Sequence, residues 1–208
     1  MSKYRVAYID ESDPDIRRFQ RFASNYFEVI PFKPNKEIEL TVAAIIEAKV
    51  DAVIADFDLG EQDVTIHYSG AELVSLILEE RDFFPVFILT SYEDEAVSQG
   101  DDVNIVYEKS EMANGEKFLE RVKTQIEKYY NKLDEAEKKL LTLIEKGQQT
   151  QLDAQEEKEL EELDSLIEKS LNKKIVVPDK IKKDAEEDKL GALLKKVDEL
   201  AKKLEQKP

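Results

Sequence analysis

Short apolar runs alternate with amphipathic stretches over the first 130 residues, and four of these runs end on residues that carry chemistry. Tyr4–Ile9 leads into Asp10-Glu11, Val53-Ile54-Ala55 into Asp56, Val86-Phe87-Ile88-Leu89 into Thr90, and Val103–Tyr107 toward Lys109. Tyr4–Ile9 and Glu28–Pro31 are expected strands as short apolar runs, and Asp51–Asp56, Phe84–Thr90 and Val103–Tyr107 by length, β-branching and flanking acids. Between them lie helical patterns. Pro14-Asp15 opens one that Asp13 is placed to cap; Glu37–Ala48 and Ala71–Glu80 repeat apolar residues at helical spacing, and Glu93–Ser98 is a shorter candidate. Five βα units in this order predict an α/β fold, a five-stranded doubly wound parallel sheet with helices on both faces. The carboxyl ends of such strands share one edge, where ligands bind. Asp10-Glu11, Asp56, Thr90 and Lys109 are therefore expected to converge. Three carboxylates, a hydroxyl and a lysine at one spot suit a divalent cation and a phosphoryl group.

The pattern changes after residue 113. Ile126, Tyr129, Leu133, Ala136, Leu140 and Leu143 are spaced as an a/d heptad seam on a helix expected to run on from the sheet domain to about residue 147. Gly147-Gln148-Gln149-Thr150 interrupts it. Asp153 and Glu156 form a capping box for a second helix, about 153–171, carrying Leu160, Leu163 and Ile167. A third, about 179–206, carries Leu190, Leu193, Val197, Leu200 and Leu204. The expected organisation is a sheet domain over 1–130 and an α-helical, coiled-coil-like extension over 131–208. Each apolar stripe is narrow and needs a partner, either a neighbouring helix or another chain. The pattern weighs these equally and leaves a homodimer open.

Composition closes off other chemistries. The chain has no cysteine and one histidine, which excludes disulfides, thiolate metal sites and multi-histidine centres. His67 lies in a polar loop without an orienting partner and is expected to be solvated. No signal-peptide h-region and no apolar run of about 20 residues is present, so the expectation is a cytoplasmic protein that does not enter a membrane. Net charge is −16. From Lys132 onward, 17 basic and 20 acidic residues nearly balance, which leaves −13 on residues 1–131. Such a surface repels a phosphate backbone, and no nucleic-acid partner is expected.

The segments Val6–Glu11, Asp51–Leu59 and Pro85–Ser91, together with Lys109, resemble the receiver domain of two-component response regulators, the CheY-like phospho-aspartate module. Each segment alone is a weak signal; all of them, in order and at strand ends, are specific. The resemblance covers about residues 3–130. It implies Asp56 as the acceptor of a phosphoryl group from a phosphohistidine on a histidine kinase or phosphotransfer protein. It implies Mg²⁺ as cofactor, held by Asp10, Glu11, Asp56 and the backbone carbonyl of Asp58. Lys109 and Thr90 would bind phosphoryl oxygens, and small Ser91 would leave room. The chain departs from the family at several points. Gly60–Ser69 is longer than the usual loop by about six residues. Ser110 replaces the proline after the lysine, so the customary cis peptide is not expected. Val106 stands where a switching aromatic ring is common, with Tyr107 facing the other way. Tyr92 and Asp58 flank the path of attacking water.

No cyclase, phosphodiesterase or ATPase signature follows, so the chain is read as a signalling protein and not an enzyme. The leading expectation is a phospho-accepting receiver of a two-component system or phosphorelay, signalling to a downstream protein through its helices. The alternatives are a phosphorylation-independent pseudo-receiver scaffold and, least favoured by the tail's charge balance, a DNA-binding transcription regulator.

Overall fold

The computed structural model describes residues 3–61, 63–91, 106–109 and 116–171. The chain divides into two compact units, one of Lys3–Glu79 with Phe83–Tyr129 and one built mainly from Tyr130 onward, together with Glu80–Asp82. The first unit holds a five-stranded sheet in the order β2-β1-β3-β4-β5. Its strands are β1 Tyr4–Ile9, β2 Phe27–Phe32, β3 Ala52–Asp56, β4 Val86–Thr90 and β5 Val106–Glu108, and every pairing is parallel. The interleaved helices are α1 Asp13–Ala23, α2 Ile38–Glu47 and α3 Gly70–Glu80. Two long helices follow, α4 Glu116–Gln149 and α5 Ala154–Leu171. This is the doubly wound architecture expected from the strand and helix pattern. The candidate helix Glu93–Ser98, Ser110 and the third extension helix lie outside the described residues.

Burial explains the strand composition. β3 and β4 are buried at every position, and β1 from Val6 to Ile9, as expected for strands covered on both faces. Pro31 sits in β2, an edge strand, where its missing N–H costs no ladder bond. Two strands start later than the apolar pattern suggests. Asp51 donates its N–H to the Arg5 carbonyl at 2.7 Å and accepts the Arg5 N–H on its carboxylate at 2.8 Å, and β3 begins at the next residue, Ala52. Pro85 can only accept, from Val53 N at 3.0 Å, and β4 begins after it. Val106 is buried while Tyr107, its neighbour on β5, packs against Phe87 and Phe118 with the Arg121 guanidinium over its ring.

Helix caps follow their chemistry, with one correction. The α1 N-cap is Ser12, whose hydroxyl accepts from Asp15 N at 3.4 Å, whereas Asp13 lies in the first turn and pairs with Lys33 at 2.7 Å. A reciprocal capping box opens α5: Asp153 Oδ1 accepts from Gln155 N and Glu156 N, and Asp153 N donates to Glu156 Oε2.

In the second unit, Ala136, Leu140 and Ile144 of α4 form a buried cluster with Ile167 of α5, flanked by Leu141, Leu160, Leu163 and Leu166. The two helices thus cover each other's apolar stripes. The seam departs from the expected heptad at its last step, since Ile144 is fully buried and Leu143 only partly so. Steps of 3, 4, 3 and 4 end in a second 4, as they do on a helix close to 3.6 residues per turn. Among the described residues no helix is long and apolar enough to cross a membrane. Replacing Ile144 by Ala is expected to destabilise the helical unit by about 2–4 kcal/mol. Leu143→Ala is expected to cost less than about 1 kcal/mol. Denaturant unfolding followed by circular dichroism checks the pair, and equal losses would restore the heptad register.

Candidate functional site

The reversal of strand order falls between β1 and β3, which places a crevice at their carboxyl ends. Ile9 pairs with Ala55, so Asp10 and Asp56 leave adjacent strands at the same level. Asp56 pairs with Leu89, and Thr90 with Glu108, which brings Thr90 and Lys109 to that edge as well. The side chains confirm how closely this register gathers them. Lys109 Nζ stands 2.7 Å from Asp56 Oδ1 and 3.8 Å from Asp10 Oδ2. Asp10, Asp56 and Thr90 are buried, at 1%, 5% and 1% exposure.

Two buried carboxylates around one ammonium dominate the electrostatics. Burial pushes the Asp56 carboxyl up to about 7; Lys109 opposes that shift, and the negative charges of Asp10 and Asp58 add to it. Burial by itself would lower the Lys109 pKa, but the charge and hydrogen bond of Asp56, with Asp10 beyond, raise it. The ammonium thus keeps its proton.

The remaining predicted residues sit around this pair. Glu11 is half-buried and its Oε2 accepts from Asp63 N at 3.3 Å. Asp58 is exposed and reaches Asp56 through its charge. Ser91 is exposed, as is His67. Tyr92 lies outside the described residues. Among the described residues no group of three acids or histidines stands in an arrangement that would ligate one ion.

The described residues of the long 60–69 loop form a strap. Asp63 Oδ1 accepts from both the N–H and the hydroxyl of Thr65, and Ile66 is buried beneath. A Cβ on Gly60 would lie 2.6 Å from the Ile66 carbonyl oxygen, so the closure of the strap needs glycine there. Tyr68 donates to the Asn35 carbonyl at 2.8 Å, and its hydroxyl lies 2.9 Å from Thr41 Oγ1. Ser69 and Glu72 then form a capping box that starts α3.

Sequence reasoning missed several supporting residues. One is Gly70, where a Cβ would lie 2.0 Å from the Asp56 carbonyl oxygen. Its N–H donates to the Phe57 carbonyl at 2.8 Å, and the Phe57 N–H donates to the Leu89 carbonyl at 2.8 Å, tying α3 and β4 to the end of β3. The Ser69-x-x-Glu72 pattern before an apolar run was the available signal. The Asp63 contact to Glu11 had none, because it joins residues 52 apart.

Two outcomes follow. In metal-free buffer the native state holds the Asp56 proton over a range, about pH 4 to 7, where the unfolded chain has released it. The stabilisation from that proton is complete below about pH 4 and is lost as pH rises through 7. Relative to Asp56→Asn, the wild type should lose on the order of 3 kcal/mol between pH 4 and pH 8, read from denaturant midpoints in EDTA. A constant difference across that range would contradict the burial of Asp56. Gly70→Ala should lower stability by about 2 kcal/mol or more in the same assay, because the α3 start must shift off the Asp56 backbone.

No protein-family model and no curated protein matches this chain. Solved structures do. One is the signal receiver domain of an HD domain-containing protein from Pseudomonas fluorescens Pf-5, at 14% identity and a TM-score of 0.50, covering 64% of this chain and 93% of that one. A second is the BeF3-activated DrrB receiver domain, at 24% identity and a TM-score of 0.45, covering 60% and 98%. A third is a CheY-like response regulator receiver domain from Methylobacillus flagellatus, at 16% identity and a TM-score of 0.44, covering 58% and 99%. The sheet order, the interleaved helices and the first of these likenesses agree: the chain has the fold of CheY-like response-regulator receiver domains, with additional helices after the sheet.

Proposed function

We propose that residues 1–130 are a phospho-accepting receiver domain of a two-component or phosphorelay system and that residues 131–208 are its helical output extension. The observation that carries this reading is the Lys109 ammonium at 2.7 Å from Asp56 Oδ1, with Asp10 at 3.8 Å, in a crevice at the carboxyl ends of the strands. Asp56 is the nucleophile. One of its oxygens attacks the phosphorus of a phosphohistidine on a kinase or phosphotransfer protein; the P–N bond breaks and the imidazole leaves with the electron pair and takes up a proton. Lys109 neutralises charge on the incoming phosphoryl oxygens as a point charge. Thr90, buried at the end of β4, offers its hydroxyl to another oxygen.

The donor set suits a hard divalent cation. Asp10, Glu11, Asp56 and the Asp58 carbonyl are all oxygen donors, and Asp10 and Asp56 bring two carboxylates to one ammonium at the strand ends. We assign Mg²⁺ to these four residues. When bound it supplies charge neutralisation for the acceptor and the transferred group.

The output is proposed to be protein–protein contact and not catalysis. α4 begins in the sheet unit and continues past Tyr130 as one helix. Ala136, Leu140 and Ile144 of α4 are buried with Ile167 of α5, so a downstream partner is expected to meet the outer faces, the partly buried Leu160, Leu163 and Leu166, or the chain beyond residue 171.

Incubation with acetyl phosphate and Mg²⁺, read by intact mass, should add one phosphoryl group to the wild type. Asp56→Asn should take up none, and Lys109→Ala should be slowed at least about tenfold. Equal labelling of Asp56→Asn would move the acceptor elsewhere. No labelling of the wild type would favour the phosphorylation-independent scaffold.

A further inference from the structure

Asp10 is buried at the centre of the site, and what orients it comes from a residue the proposed chemistry does not use. Tyr8 and Asp10 lie two apart on β1 and its continuation, so both project to one side of the sheet. Tyr8 is fully buried. Its ring stacks on Phe19 of α1 with centroids 4.0 Å apart and planes within 6°. With the ring held, the hydroxyl donates to Asp10 Oδ2 at 2.8 Å. The other oxygen, Oδ1, accepts from Ser12 N at 2.8 Å. Both oxygens of Asp10 are thereby pinned, and Oδ2 is the one that faces Lys109 at 3.8 Å.

We propose that Tyr8 is a positioning residue for divalent-cation binding, its hydroxyl fixing the Asp10 carboxylate in the orientation the cation meets. This rests on the reading above in which Asp10 helps to hold Mg²⁺. A carboxylate left free to rotate pays its ordering entropy when the ion binds; one already held by Tyr8 and Ser12 does not. Hydrogen-bond partners of metal-ligating groups commonly set metal affinity in this way. A buried tyrosine also needs an acceptor for its own hydroxyl, so a purely structural role for the bond is the competing account.

Tyr8→Phe separates the two, since it keeps the ring against Phe19 and removes only the hydroxyl. Mg²⁺ titration by calorimetry on the full chain, without any phosphoryl donor, should show the variant binding about tenfold or more weakly than the wild type. Melting in EDTA reports separately on the fold. Affinities within twofold of each other, with wild-type binding intact, overturn the role of Tyr8 alone. A wild type that takes up no Mg²⁺ at millimolar concentration overturns the cation assignment first and this inference with it. A second measurement needs no variant. The shielded Tyr8 hydroxyl proton should shift in the wild-type proton spectrum when Mg²⁺ is added, and a resonance that stays fixed while the backbone amides of residues 10–12 move also overturns the proposal.

Discussion

Two carboxylates buried beside one ammonium group are the constraint around which the sheet unit is organised. Charge in a low-dielectric crevice is expensive unless paired. Here the pairing is incomplete, since Lys109 reaches Asp56 at 2.7 Å and Asp10 only at 3.8 Å. Burial, with the charges of Asp10 and Asp58 adding to it, outweighs Lys109 and lifts the Asp56 pKa to about 7.

The supporting frame is mostly backbone and hydroxyl. Ser12 caps α1 and also donates to Asp10, so the start of the helix and the position of the acid are set together. Gly70 lets α3 begin directly against the Asp56 backbone, a closeness that no side chain would permit. The 60–69 strap adds a contact to Glu11 through Asp63 N and is anchored at its far end by Tyr68. The insertion therefore belongs to the site's architecture, and its conformation is joined to that of a proposed cation-holding residue.

Association in the helical unit follows from geometry finer than a heptad pattern. A strict 3.5-residue repeat selects Leu143 and implies a supercoiled partner. The structure buries Ile144 in its place, against Ile167 of α5. One residue of drift over about five turns separates the seam seen here from a strict heptad repeat.

The order of strands and helices, the convergence of Asp10, Asp56, Thr90 and Lys109, and the capping box at Asp153 were all legible from residue spacing. Each depends on periodicities of 2 or 3.6 residues and on strand polarity, which are local properties. What spacing left open were choices made between distant atoms: Ser12 over Asp13 as the α1 cap, the place of Gly70 under Asp56, the hold of Asp63 on Glu11, and the Tyr8 hydroxyl on Asp10. The last pair lies two residues apart, yet only the Phe19 ring behind Tyr8 makes the bond rigid. The amino-acid sequence by itself determined which groups reach the carboxyl edge of the sheet, because parallel strands carry their C-terminal residues there. Which oxygen faces which donor was decided by tertiary packing, since distances of 2.7 and 3.8 Å to one ammonium depend on how whole strands and helices press together.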